Sequence, residues 1–132
     1  MSEVKKVNEV QTTTDHGTIN YATDVIAVIA GLAASEIKGV AGMSGGGIAE
    51  ILGRRNLSKG VRVSVVESKV SIDLSIIAVY GLKLQDVAME IQKNVHKAIE
   101  TMTGLTVVAV NVNVQSIVFE KEQQSLLAEG GE

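Results

Sequence analysis

VRVSVVESKVSIDLSIIAVYGLKLQDVAMEIQKNVHKAIETMTGLTVVAVNVNVQSIVF, residues 61–119, is the stretch that decides the fold. Val61, Val63 and Val65 alternate with Arg62 and Ser64. After a turn at Glu67-Ser68-Lys69 the alternation resumes, with Val70, Ile72, Leu74 and Ile76 set against Ser71, Asp73 and Ser75. A period of two with one apolar side predicts a hairpin with one wet face. From Ile76 to Val79 the run is apolar throughout, so the far end of the second strand is expected to be covered on both faces, and Tyr80-Gly81 ends it.

The period then changes. Leu84, Val87, Ala88, Ile91, Val95, Ala98, Ile99 and Met102 form a helical stripe that Gly104 stops. The opposite side carries charges of mixed sign, a solvated face on which His96 can pair with Glu100 or Gln92. From Thr106 to Phe119 the period returns to two, with Val108, Val110, Val112 and Val114 against Ala109, Asn111, Asn113 and Gln115. A helix between the second and third strands makes those strands parallel. A right-handed split crossover places the third beside the first. The expected fold is α+β, in α-β-β-α-β order: a three-stranded, mostly antiparallel sheet of order 2-1-3 with two helices on one face and a short N-terminal strand.

The first helix is read upstream, from about Thr23 to Lys38, with Thr23 or Asp24 as N-cap and Gly39 after its end. Val25, Ile26, Val28, Ile29, Leu32, Ala33 and Ile37 run nearly all round it, and a helix apolar on all sides needs cover on all sides. His16 to Tyr21 reads as the short edge strand. Residues 1–15 read as a flexible arm, 16–119 as one domain, and 120–132 as a flexible tail. Between the first helix and the hairpin, Val40 to Gly60 is a glycine-rich connector with a short helix at IAEILGRR and a turn at NLSKG. Its glycines with Arg54, Arg55 and Lys59 form a weak anion-contact candidate. The spacing matches neither GxxxxGK[ST] nor GxGxxG between a strand and a helix.

Composition narrows the function classes. A chain of 132 residues suits one domain that buries roughly two-thirds of its unfolded surface. The hydrophobic share is 45% but aromatics are only 2%, so the core is built from small aliphatic side chains. The absence of cysteine excludes disulfides, thiolate metal sites and cysteine nucleophiles. A net charge of −3 supplies no general attraction to nucleic acid. Met1 to Asp15 lacks a secretory apolar region, and Val25 to Ala34 is about half a bilayer span, so the chain is expected to be cytoplasmic and without a transmembrane segment.

Catalytic groups do not assemble in the pattern. His16 and His96 are the only histidines, no serine lies in a nucleophile-elbow pattern, and no helix carries paired inward carboxylates. The expectation is no enzyme, no metal and no cofactor. The candidate partner-contact residues are Val28 and Leu32 on the first helix, with Ser71, Asp73, Ser75, Asn111, Asn113 and Gln115 on the open sheet face. Uncharged amides and hydroxyls there suit contact with another protein. A second class is an RNA-binding module, because Gly39-Val40-Ala41-Gly42 and Gly42-Met43-Ser44-Gly45 have the form of the K-homology GxxG loop.

The runs GTINYATDVIAVIAGLAASEIKGVAGM and NLSKGV, the strand ending VYG and the passage NVHKAIETMTGLTVVAVNVNVQSIVF resemble the alkaline shock, or envelope stress response, family of Gram-positive bacteria, in its short form. The likeness covers Gly17 to Phe119. It implies a non-enzymatic interaction or scaffold protein at the cell envelope that self-assembles into oligomers. The implied partners are a small membrane-anchor protein or a kinase-like metabolic protein, with the chain cytoplasmic and peripheral at the membrane. The family has no catalytic motif to transfer.

Overall fold

The computed structural model describes residues 9–44 and 59–119. Strands β1 (Glu9–Thr14) and β2 (Gly17–Ala22) form an antiparallel hairpin, followed by α1 (Thr23–Ser35), β3 (Val40–Met43), β4 (Val61–Val66), β5 (Lys69–Val79), α2 (Leu84–Thr103) and β6 (Thr106–Val118). The arm read from the sequence thus contains a strand from Glu9 onward. Arg54, Arg55, the short helix at IAEILGRR and most of the glycine run lie outside the described residues.

The expected single three-stranded sheet of order 2-1-3 is not what forms. There are two sheets, β1-β2 and a four-stranded sheet centred on β5. Along one edge of β5, β4 pairs with Lys69–Leu74 and β3 with Ile76–Ala78, both antiparallel. Along its other edge β6 runs parallel from Lys69 to Val79. The third strand of the quoted stretch therefore lies beside the second. The reason is length: β4 has six residues and β5 eleven, so β4 leaves half of one β5 edge for β3. The apolar Ile76–Val79 run thus has neighbours along both edges, but its two faces differ: Ile76 and Ala78 are fully buried, while Ile77 and Val79 on the opposite face are only partly buried.

One core links the elements. Val70, Ile72, Leu74, Ile76 and Ala78 of β5 are fully buried, as are Ile26, Ala30 and Ala34 of α1 and Ile91, Val95 and Ile99 of α2. The helices lie side by side, and Asn94 of α2 donates to the Ala33 carbonyl at 2.8 Å. The β1-β2 hairpin is fastened to this core by buried Val10 and by the Tyr21 hydroxyl, which donates to the Thr103 carbonyl at 3.1 Å.

Several local expectations change. α1 starts after Ala22 with no side-chain cap, so neither Thr23 nor Asp24 serves as N-cap. α1 is not covered all round either, because Val25 and Leu32 are nearly half exposed. At the end of α2 it is Thr103 rather than Met102 that is buried: its hydroxyl donates to the Ile99 carbonyl at 2.6 Å and accepts the Leu105 N–H at 3.1 Å. Gly104 then takes φ +78 and closes the helix onto the Glu100 carbonyl.

β6 departs from simple alternation. A bulge at Val108 puts Val107 and Val110 in the core and leaves Val108 exposed, and a second irregularity falls at Gln115. At a bulge an extra residue faces a single partner and the side-chain phase shifts. The Glu67-Ser68 turn has φ of 52° and 70°, the positive values that a two-residue hairpin turn needs to match strand twist.

Candidate contact surfaces

The alternation that sends Val70, Ile72 and Leu74 inward sends Ser71, Asp73 and Ser75 to the other face of β5. Register then sets Asn111 beside Asp73 and Asn113 beside Ser75, while Arg62 lies across from Asp73 on β4. Asn111 Nδ2 donates to the Asp73 carboxylate at 2.9 Å, and Asn113 Nδ2 donates to the Leu74 carbonyl at 3.2 Å. Five of the expected contact residues thus share one face. Gln115, expected with them, falls at the irregularity instead. Gly60, Arg62, Asp73, Ser75 and Asn113 line a shallow recess of about 280 Å³ on this face. Its side chains can exchange hydrogen bonds with a partner, and no described helix covers it.

A second surface lies on α1. Val25, Val28 and Leu32, spaced three and four apart, form a stripe in which Val25 and Leu32 are exposed and Val28 is partly buried. Val28 and Leu32 are the α1 residues expected at a partner contact, and Val25, read with them as apolar surplus, lies on the same stripe.

The third region is the outer edge of β6, which the sequence reading missed. Glu100 accepts the Val107 N–H at 2.9 Å, and Gln92 donates to the Val110 carbonyl at 3.0 Å. These two α2 side chains satisfy backbone groups of the first part of that edge. Polar helix residues one turn or two apart, facing a strand start, were the only signal. Glu100 also meets His96 Nε2 at 3.5 Å, which makes that pair an i,i+4 contact on the helix surface.

Among the described residues no three His, Asp or Glu side chains converge as a metal site would require. No described helix is long and apolar enough to cross a membrane. Lys59, the one described basic residue of the anion-contact candidate, is exposed in the turn before β4. Val40 to Gly42 belong to β3, which pairs with β5, so GVAG is a turn residue followed by strand rather than a loop between helices.

A helix-backed sheet with a polar open face and an apolar helix stripe defines a protein that offers surfaces. Residues 11–119 match the alkaline shock protein 23 family, described as of cell envelope-related function, and the chain belongs to that family. It is 34% identical over 113 residues to the uncharacterized protein YqhY of Bacillus subtilis, covering 83% of this chain and 84% of that one. To the uncharacterized protein YloU of the same organism it is 37% identical over 109 residues, covering 79% and 91%. A stress response regulator Gls24 homolog of Streptococcus pyogenes is 31% identical over 131 residues, covering 93% and 73%. No solved structure matches the chain at a significant level.

Proposed function

We propose that this chain is a non-enzymatic scaffold of the envelope stress response, acting through self-association and through binding of protein partners at the membrane. The observation that carries the reading is the pair of uncovered surfaces, the amide-rich sheet face around Asp73 and Asn111 and the Val25-Val28-Leu32 stripe. The first offers hydrogen bonds without like-charge repulsion, and the second gains from burial at roughly 25 cal/mol per Å² of apolar area. The family's envelope-related description and the stress-regulator relatives support the setting.

Sedimentation velocity over a concentration series, with co-purification from a crosslinked envelope fraction, tests this. Concentration-dependent oligomers and recovery of a membrane-anchor partner are expected. A strict monomer that recovers no envelope protein overturns it.

A further inference from the structure

We infer that the outer edge of β6 between Val112 and Ile117 is the self-association site, pairing antiparallel with the same segment of a second copy of this chain. The inference rests on the self-association reading above and names the surface that carries it.

Backbone direction along β6 follows from the bonds of its neighbour. Ser75 exchanges bonds with Gly60 and Ser44, and the Val79 N–H bonds the Gly39 carbonyl, all on the β3 and β4 side, so Ile72, Leu74 and Ile76 turn their backbone to β6. In a parallel pair their register partners Val110, Val112 and Val114 then point outward, where Gln92 meets the Val110 carbonyl. The Tyr80 N–H bonds the Val118 carbonyl from β5's side, so Val118 points inward and Ile117 outward, with the irregularity at Gln115 making up the phase. Among the described residues, no strand other than β5 pairs with β6, and no side chain bonds the outward groups of Val112, Val114 and Ile117. The cover supplied by Glu100 and Gln92 ends at Val110.

Side chains on the same segment are exposed as well. Register sets Val114 beside Ile76 and Ile117 beside Ala78, on the face the helices cover, yet Val114 is 39% and Ile117 44% exposed while Ile76 and Ala78 are fully buried. The helix cover stops short of this end of β6. Thr106–Val118 also contains no charged residue and no proline, two of the common guards of an edge strand.

The strand is self-complementary about the Val114–Gln115 peptide. A two-fold antiparallel pairing there sets Val112 against Ile117 of the second copy on the helix-covered face. It sets Asn113 against Ser116 of the second copy on the open face. Val112 and Ile117 both present outward backbone groups, so each such pair can exchange two hydrogen bonds, and the symmetry repeats it. One occupant thus satisfies the free backbone edge and covers the exposed Val114 and Ile117. The polar open face continues across both copies.

The chain contains no cysteine, so a single introduced cysteine reports its own neighbour without ambiguity. Full-length Val114→Cys is expected to give a covalent dimer on mild oxidation, and Val66→Cys on the exposed end of β4 is expected to give none. Val114→Lys and Ile117→Lys, tested separately, are each expected to weaken the dimer by about tenfold or more in sedimentation equilibrium. Their thermal midpoints stay near the parent's, which separates loss of pairing from loss of folding. If both lysine variants associate as the parent does while Leu32→Glu abolishes association, the edge assignment is overturned and the self-association reading stands. If the parent is monomeric at all concentrations, both fall.

Discussion

Glu100 of α2 accepts the backbone N–H of Val107 at 2.9 Å, and this bond ties the last turn of the helix to the start of the strand that follows it. A carboxylate is a stronger acceptor here than a neutral group, and removing it strands a part-buried N–H. Glu100→Ala is therefore expected to cost about 1–2 kcal/mol of stability, whereas Glu100→Gln, which keeps an acceptor oxygen, loses less. Urea unfolding of both variants checks the order.

Tyr21 anchors the β1-β2 hairpin through one hydroxyl, to the Thr103 carbonyl. Tyr21→Phe keeps the ring and deletes the bond, for an expected loss of about 1 kcal/mol. Val10→Ala leaves a small cavity in a buried site and is expected to cost roughly 1–3 kcal/mol. Hydrogen exchange should show both losses concentrated in residues 9–22.

Gly60 and Gly104 share a φ of +78° but differ in surroundings. A Cβ at Gly60 would come within 2.6 Å of the Ser44 carbonyl oxygen, while at Gly104 nothing lies within 4 Å. Gly104→Ala is expected to cost about 1 kcal/mol, the usual left-handed penalty. Gly60→Ala adds a backbone clash to the same penalty and should be clearly worse. Thermal melts of the two variants side by side measure the difference.

On α1, Ile29 and Leu32 are three residues apart and opposite in role, one buried and one exposed. Ile29→Ala should destabilise by roughly 2–5 kcal/mol. Leu32→Glu should change stability by no more than about 0.5 kcal/mol while reducing partner capture. Calorimetry combined with co-purification distinguishes the two effects.

The legible parts of this fold were those where residue type changes with position. Ser71, Asp73 and Ser75 against Ile72, Leu74 and Ile76 define the two faces of β5, and the Asp73–Asn111 bond lies on the face so assigned. Val107 and Val108 are the same residue, so no pattern could show that the bulge puts one in the core and the other in water. Strand β1, EVQTTT, has one large apolar residue and too little contrast to reveal a period. The sheet order depended on strand lengths, and the boundary that left room for β3 carried no local signal. The α1 surface was half legible: its surplus of apolar residues was plain, but which of them face solvent depends on where α2 lies.

If the chain works at the envelope through its surfaces, its position in the cell must depend on them. A fluorescent fusion of the full chain in a Gram-positive host measures this, compared with a Val28→Glu/Leu32→Glu variant whose purified form melts like the parent. The parent is expected at the cell periphery and the variant spread through the cell. A parent distributed evenly through the cytoplasm, or a variant that stays at the periphery, is incompatible with a surface-mediated envelope role.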